Sequence, residues 1–390
     1  MGFNALFERE DVLTILKDTL EAYYKQVCKA EIKFEYSDKY SKNSFILIPK
    51  LGMIMRSFPC KEIRTHYYKA YNIRGNIIKN VGAKILIFAA THSKKSFSMK
   101  KYLNVIPNDI INSKTIFSVC NRTLRIYDYE NGKTVSIKKN TFSDTYFEKH
   151  LSFRIKHRYD FIPPIFSYGE NWFEEKIIDG VMLARTTNQY DYNNAVLKSI
   201  ENMKRIADDT ILHIDAKKYV FDLFKKVKNS LINAKNNKLI EFYEYANKYI
   251  NYLKNQFNNV SSTIPTVITH GDLQGGNILV SKDNLWIIDW ETNGRRSSWF
   301  DIITIKYSTR YYGGIKKLIQ NSISADIKKE ILLFNDCSLE IRKIIAIFLL
   351  EDIDFYLDDI NELPGLSGKV SFNNYMKEIS EIDWNTFFNC

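Results

Sequence analysis

The chain has 390 residues, with 45% hydrophobic side chains, 25 Tyr and 25 Phe, and 56 basic against 45 acidic residues, which gives a net charge of +11. This length and composition predict a globular protein of two or three domains and exclude long disordered stretches. The five cysteines include no C-x-x-C pair, so a zinc site of the usual cysteine spacing and a disulfide framework are both excluded. Acidic residues interrupt the N-terminus before a long apolar run forms, so we expect no secretory signal and a cytoplasmic location.

The first 110 residues predict a separate α/β module whose role the sequence does not indicate. Apolar residues at helical spacing predict an amphipathic helix over 10–29. A second helical pattern covers 67–90, and we expect it to break at Gly75 or Gly82. Residues 1–110 contain no catalytic motif.

Within this module, residues 61–101 contain ten basic residues and one acid, Glu62. The simplest interpretation is a solvated basic face. The alternative is a contact surface for an anionic partner, either a membrane surface or a phosphorylated glycan; nucleic acid is the least favoured partner. A peripheral position at the inner face of a membrane would follow from that alternative.

Residues 111–180 change to strand patterns and predict a small antiparallel-sheet lobe. An Asn131-Gly132 pair marks the tip of a hairpin. The predicted elements are strands over 115–118, 123–127 and 134–138, a helix over 144–157, and strands over 165–168 and 172–178. Residues 181–390 are mostly helical in pattern, with one long helix expected over 343–360.

The most informative stretch is 266–301, which interrupts these helices. It places Asp272 after His270-Gly271, Asn277 five residues later, and Asp289 after two short apolar runs. Phosphoryl transfer needs a base for the acceptor hydroxyl and oxygen ligands for magnesium. We therefore predict Asp272 as the base, Asn277 and Asp289 as magnesium ligands, and His270 as a residue that orients the loop.

The alternative for this stretch is an ordinary hairpin, because Asp and Asn also favour turns. A hairpin alone does not explain the D-x4-N spacing, the pair of strands and the Ile288-Asp289-Trp290-Glu291 run together. The agreement of motif and context favours the functional interpretation.

His270-Gly271-Asp272-x4-Asn277 and Ile288-Asp289-Trp290-Glu291 resemble the motifs of the aminoglycoside phosphotransferase and choline kinase superfamily. Asp301 resembles the downstream structural Asp of that family. The resemblance covers about residues 112–390 and is specific only over 267–301. It implies an α+β, bilobal, protein-kinase-like fold, with a small antiparallel-sheet lobe over 111–180, a larger helical lobe over 181–390, and ATP and Mg²⁺ as cofactors.

The resemblance also implies an ATP lysine with a carboxylate partner in the sheet lobe. Val135-Ser136-Ile137-Lys138 is similar to the V-A-I-K strand of kinases, and strand alternation places Ser136 on the same face as Lys138. Lys139 is the second choice for the lysine. Glu148, on the next helix, is the expected partner.

Other nucleotide contacts follow less directly. The turn at 118–123 has no glycine, unlike the phosphate loop of protein kinases, so Ser118 and Asn121 are candidates for polar contacts. The segment 175–178 resembles the hinge between lobes, where Lys176 and Ile178 would meet the adenine.

The acceptor is the least determined part of the prediction. Glu351, Asp354 and Asp358 share one face of the helix over 343–360, and together with Glu291 they are candidates to bind a cationic amine. The alternative is a solvated acidic helix face. Arg295 and Arg296 could meet an anionic acceptor, but a basic loop is preferred.

The sequence thus predicts an ATP-dependent kinase that phosphorylates a hydroxyl of an amino alcohol, a sugar or an aminosugar. One alternative is a kinase of a surface-glycan or lipid-linked acceptor at the membrane. The other is a nucleotide-binding pseudokinase that serves as an interaction module. The choice between ATP and GTP and the oligomeric state are left open.

Overall fold

The structure, a computed structural model, divides into two compact units. We call residues 1–195 and 275–291 the sheet unit, and residues 196–274 and 292–390 the helical unit. The description covers the whole chain except 1–9, 29–30, 42, 49–51, 57–58, 72–76, 93–101, 108–109, 141–143, 187, 237–242, 259, 282–283, 323–330, 332–336, 363–365, 385–386 and 388–390. None of the helices described is both long enough and apolar enough to cross a membrane.

The helices and strands follow one another in a mixed order. The first half of the chain contains α1 (Val12–Cys28), β1 (Lys33–Ser37), β2 (Phe45–Ile48), β3 (Met53–Arg56), α2 (Lys61–Tyr71), α3 (Ile77–His92), β4 (Tyr102–Ile106), β5 (Thr115–Val119), β6 (Thr123–Asp128), β7 (Lys133–Lys138), α4 (Asp144–Lys156), β8 (Ile165–Tyr168), β9 (Trp172–Lys176), β10 (Val181–Met182) and α5 (Gln189–Thr210). The second half contains β11 (Leu212–Asp215), α6 (Ala216–Asn236), α7 (Tyr243–Asn255), β12 (Thr263–Thr269), β13 (Ile278–Val280), β14 (Leu285–Ile287), β15 (Gly294–Ser297), α8 (Phe300–Tyr307), α9 (Gly314–Asn321), α10 (Ile341–Glu362) and α11 (Leu366–Ser380). The predicted α+β class is confirmed.

One antiparallel sheet of nine strands dominates the sheet unit, in the order β1-β4-β2-β3-β5-β6-β7-β9-β8. The strands predicted over 111–180 are all present in it. The sheet does not stop at the predicted boundary near residue 110, because β3 pairs directly with β5, with Ile54 opposite Phe117. Backbone hydrogen bonds thus continue the sheet across the boundary, and the N-terminal residues extend the sheet instead of forming a separate module.

Alternation along the strands gives this sheet two different faces. On one face, α1 packs on Phe34, Phe117 and Ile137, among others. On the other face, Ile63 of α2 and Ile87 of α3 pack over β2, β3 and β5. The break predicted in the second helical pattern separates α2 from α3; Gly82 lies inside α3, and Gly75 is outside the described residues.

The helical unit is built around α10, which extends the helix predicted over 343–360 by two residues at each end. Residues 344–350 are all buried, so this stretch is covered on every side. A three-stranded antiparallel sheet, β11-β12-β15, lies in the same unit and leads into the loop that begins at His270.

Candidate active site

A cleft in the sheet unit lies against the sheet face that carries Arg125. It consists of two adjoining pockets of about 400 and 830 Å³, which share Arg125, His150 and Asp289. The smaller pocket is also lined by Arg122, Thr123, Ser136, Lys138, Tyr146, Phe147, Phe173 and Glu291. The larger pocket is also lined by Tyr127, Thr134, Arg154, Pro163, Glu175, Lys176, Ile177, Ile178, Gly180, Met182, Leu279 and Ile288. Charged side chains therefore form a larger share of the smaller pocket, whereas the larger one supplies most of the aliphatic side chains.

The predicted nucleotide lysine lies in this cleft. Ser136 and Lys138 both line the smaller pocket, as the strand alternation of β7 requires. Lys139 points to the opposite face, where its ammonium is buried and lies 2.5 Å from a carboxylate oxygen of Glu10. The geometry therefore favours Lys138 over Lys139 for a contact with a ligand in the cleft.

Glu148, the predicted partner of the lysine, faces solvent and does not line either pocket. Phe147 and His150 occupy the buried side of the same helix, so the register of α4 turns Glu148 outward. The buried ion pair of this helix is instead Arg154 with Glu175 of β9, at 2.7 Å. Arg154 also contacts the ring of His150 at 2.8 Å.

The two polar residues predicted near the phosphates are used elsewhere. The Ser118 hydroxyl donates to the Gly52 carbonyl at 3.1 Å, and Ser118 lines neither pocket. Asn121 is also absent from the lining, and its carbonyl accepts a hydrogen bond from Lys139. The hinge candidates Lys176 and Ile178, in contrast, do line the larger pocket.

Asn277 and Asp289 are brought together by a short hairpin within the sheet unit. β13 and β14 pair antiparallel, and the N–H of Ile288 donates to the Asn277 carbonyl at 2.9 Å. Asp289 then adopts a left-handed backbone (φ 69°), which Asp tolerates better than most residues. An amide and a carboxylate oxygen are donors that suit Mg²⁺ when substrate phosphates complete its shell. In the described part of the chain, no group of three or more His, Cys, Asp or Glu side chains could hold a metal ion.

Two arginines hold the carboxylates of the smaller pocket. Neither of them was identified from the sequence. Arg122 lies 2.7 Å from Glu291, and Arg125 lies 3.5 Å from Asp289. Burial and the neighbouring Asp289 carboxylate raise the pKa of Glu291 to about 7, an effect that Arg122 opposes. Glu291, predicted as an acceptor contact, is thus bound to an arginine within the sheet unit. Strand alternation could have found Arg125, because it pairs with Ser136 and shares its face.

In the helical unit, Asp301 holds the backbone of the loop after β12. The Asp301 carboxylate accepts the N–H groups of His270 at 2.6 Å and Gly271 at 3.0 Å. Burial raises the pKa of Asp301, whereas His270 and these two hydrogen bonds act in the opposite direction. His270 is fully buried, and its Nδ1 accepts the N–H of Asp272 at 3.2 Å. These contacts fit the orienting role predicted for His270.

The Asp272 carboxylate is fixed by two side chains of the same unit. Its Oδ1 accepts from Nε of Arg310 at 3.0 Å, and its Oδ2 accepts from Gln274 at 2.8 Å. Arg310 also donates to the Gly271 carbonyl at 2.9 Å and pairs with the fully buried Asp352. Burial alone would lower the pKa of Arg310, but Asp352, with Tyr356 and Asp272, raises it above its usual value.

Neither Arg310 nor Asp352 was singled out from the sequence. Asp352 does leave a signal, since it is an acid within the apolar run of α10 and must find a partner if that helix is buried. Nothing in the local pattern around Arg310 indicates that it reaches Asp272, 38 residues earlier in the chain.

The three acids of α10 predicted to bind the acceptor are engaged inside the helical unit. Glu351 is buried and accepts from the N–H and Oγ of Ser297, both at 2.6 Å, and from Tyr219 at 2.5 Å. Asp354 and Asp358 both pair with Lys226 of α6, at 2.6 and 2.8 Å. The solvated-face alternative is wrong for Glu351 and Asp354, because both side chains are buried. Arg295 also binds inward, to the carbonyls of Thr210 and Thr266.

The basic window at 61–101 is only partly described. Its residues Arg74, Lys94, Lys95, Lys100 and Lys101 lie outside the described residues. Lys69 pairs with Asp179 at 2.5 Å. The helix α3 exposes an apolar surface made of Ile77, Ile78, Val81, Ile85, Leu86 and Phe88. An anionic partner for this window stays a prediction.

No family model matches this chain, and neither does any curated protein. Among solved structures, it is similar to a choline kinase from Cryptosporidium parvum, with 15% identity over 72% of this chain and 93% of the other and a TM-score of 0.44. It is similar to an ethanolamine kinase from Plasmodium vivax, with 15% identity, coverage of 82% and 92% and a TM-score of 0.43. It is also similar to the aminoglycoside phosphotransferase APH(4)-Ia in complex with ADP and hygromycin B, with 10% identity, coverage of 68% and 94% and a TM-score of 0.43. Because these identities and TM-scores are low, the functional assignment rests on the residues of this chain.

Proposed function

We propose that this chain is an ATP-dependent phosphotransferase that moves the γ-phosphate to a hydroxyl of a small molecule such as an amino alcohol, a sugar or an aminosugar. The observation that carries the proposal is the smaller pocket of the sheet unit. It combines Lys138, on the strand face that the kinase-like pattern specifies, with Asp289 at the end of the Asn277 hairpin. A lysine beside a carboxylate that suits magnesium is the minimum that phosphoryl transfer from ATP requires.

Each residue then has a defined task. Lys138 neutralises phosphate charge. Ile178, Met182 and Leu279 offer an apolar surface to the adenine ring. Asn277 and Asp289 would hold Mg²⁺, which neutralises charge on the phosphates. Asp272 accepts the proton of the acceptor hydroxyl. The hydroxyl oxygen bonds to the γ-phosphorus as the bond between this phosphorus and the ADP oxygen breaks.

The support for Asp272 as the base comes from its surroundings. His270, Gln274 and Arg310 fix its backbone and both carboxylate oxygens, and its side chain retains 22% exposure. A fixed, accessible carboxylate can accept a proton without reorganising.

The proposal is tested by a screen with γ-labelled ATP and Mg²⁺ over amino alcohols, sugars, aminoglycosides and lipid-linked glycans. Transfer to at least one acceptor is expected, with a loss of about 10²–10⁴-fold in Asp272→Asn, the range for one general base. Asp208→Asn, which removes an exposed carboxylate of the same unit, is the matched control and should leave transfer unchanged.

Two results would contradict the proposal. Binding of ATP without transfer to any acceptor would instead favour a pseudokinase. Equal activity of wild type and Asp272→Asn would remove Asp272 from the base role. Transfer confined to the lipid-linked glycans would select the membrane alternative within the same chemistry.

A further inference from the structure

The smaller pocket of the sheet unit has three cationic side chains where a phosphate loop would need only one. Arg122, Arg125 and Lys138 line it together with two carboxylates, Asp289 and Glu291. Both arginines are paired with these carboxylates. The side chains thus leave an excess of positive charge in this pocket.

The local backbone explains why side chains, and not backbone N–H groups, would contact phosphates in this pocket. β5 and β6 join in a tight turn, in which the N–H of Cys120 donates to the Thr123 carbonyl at 2.9 Å. The turn has no glycine to let a backbone approach phosphates closely. It instead directs Arg122 into the pocket, where its side chain is only 7% exposed and its guanidinium lies 4.1 Å from the ring centre of Tyr146.

Two buried polar groups of this pocket have no hydrogen-bond partner among the described residues. They are the Oγ of Ser136 and the Nε of Arg125. Ser136 is buried, with 2% exposure, and lies opposite Arg125 in the β6–β7 ladder. Since buried polar groups are usually paired, these two atoms could pair with a polar ligand at this position.

We propose that Arg122 and Arg125 bind the phosphates of the nucleotide in place of a glycine-rich loop, and that Arg125 exchanges Asp289 for a phosphate when a divalent cation binds Asp289. This inference rests on the proposed function, because it specifies how that nucleotide is held. The ligand class is a nucleoside triphosphate with its metal.

The two ion pairs suit different parts of this scheme. The Arg125–Asp289 pair has a 3.5 Å separation, and its side chains are 23% and 36% exposed, so it is the easier of the two pairs to open. The Arg122–Glu291 pair is shorter, at 2.7 Å, and is less exposed. Arg122 therefore keeps its carboxylate and acts on the phosphates through the positive charge that it holds in the pocket.

The experiment measures ATP affinity by isothermal titration calorimetry, both with Mg²⁺ and in EDTA, for the wild type, Arg125→Gln, Asp289→Asn and the double variant. With Mg²⁺, Arg125→Gln should weaken ATP binding about tenfold or more, as expected for a lost charge-assisted contact. In EDTA, Asp289→Asn should strengthen ATP binding, because Arg125 is released for phosphate. That gain should be absent in the double variant. A gain of equal size in both backgrounds would show simple repulsion between Asp289 and phosphate and would overturn the exchange.

Arg122→Gln, measured in the same way, should also weaken ATP binding about tenfold. Adenosine affinity should stay the same in every variant, because it has no phosphate. The matched control is Lys133→Gln, which removes the cation of the Lys133–Glu174 pair on the opposite face of β7. This control should bind ATP as the wild type does.

The failures of the two proposals can be distinguished. If the wild type binds no ATP with or without Mg²⁺, the proposed function itself fails. If the wild type binds ATP and both arginine variants bind it equally well, only the arginine proposal fails.

Discussion

In each unit an arginine binds a predicted site carboxylate, the base Asp272 in one and the magnesium ligand Asp289 in the other, but the two pairs differ. Arg310 in the helical unit has a side chain that is 5% exposed, binds Asp272, Asp352 and the Gly271 carbonyl, and lies 4.0 Å from the ring centre of Phe355. Arg125 in the sheet unit makes one longer and more exposed ion pair, with Asp289. The difference indicates that Asp272 is held in one fixed position, whereas Asp289 can change partners.

The largest effect should come from removing Arg310. Arg310→Leu leaves Asp352 buried without its cation, so the free energy of unfolding should fall by about 3–5 kcal/mol. Denaturant unfolding followed by circular dichroism measures this loss. Arg310→Lys should recover part of the stability, because it keeps the charge but not the three-way geometry.

This measurement shows whether Arg310 contributes more to stability than an exposed ion pair does. A loss below about 1 kcal/mol in Arg310→Leu would match an exposed ion pair and would remove the contrast with Arg125. Arg310→Lys should also transfer phosphate more slowly at saturating ATP while its KM for ATP is unchanged, since Asp272 is misplaced but the nucleotide pocket is intact. A purely structural role would leave the rate per folded molecule unchanged.

The second effect concerns the backbone that fixes Asp272. Gly271 has a φ of +86°, and a Cβ there would lie 2.3 Å from the Thr292 carbonyl oxygen. Gly271→Ala should therefore lower the free energy of unfolding by at least about 1–2 kcal/mol, the cost of a left-handed residue with a side chain. It should also slow phosphate transfer, because the loop must shift to relieve the contact.

A nearby glycine provides the matched control. A Cβ added at Gly276 would meet no atom within 4 Å, and the φ of Gly276 is not positive, so Gly276→Ala should be close to wild type in stability. Equal stability losses for the two alanine variants would contradict the assignment of a fixed loop at Gly271.

The third effect concerns the buried carboxylate of Glu351, which is held by hydroxyl and backbone donors instead of an arginine among the described contacts. Glu351 is held by Ser297 and Tyr219, and burial raises its pKa from 4.5 to about 7, although these donors and the nearby Arg296 act against the shift. The folded state then binds more protons than the unfolded state between these two pH values. Stability should therefore fall as pH rises from about 4.5 to about 7, by at most about 1.4 kcal/mol per pH unit, and then level off.

Glu351→Gln removes this titration while it keeps most of the hydrogen-bonding groups. The unfolding free energy of this variant, measured from pH 5 to 8, should therefore fall less with rising pH than that of the wild type. Parallel curves for the two proteins would contradict a titration of Glu351 in this pH range.

The same contrast shows what could be predicted from sequence. Strand alternation placed Ser136 and Lys138 on one face because period 2 is fixed by the backbone. Glu148, predicted as the partner of the lysine, faces solvent instead, since the burial of α4 depends on which side of the helix meets the sheet. The contacts of the α10 acids could not be predicted for a similar reason: their partners Lys226 and Ser297 come from distant parts of the chain. Local spacing determines side-chain direction but not which remote groups arrive there.

The smallest effect is expected for the stability of Arg125→Gln. Its partly exposed ion pair with Asp289 predicts a change of at most about 1 kcal/mol in the free energy of unfolding. A loss of about 3 kcal/mol or more would instead place Arg125 in the same class as Arg310 and would exclude an easy exchange of Asp289. Near-wild-type stability would also mean that weaker ATP binding by this variant reports a lost phosphate contact, because the fold that presents the pocket would be unchanged.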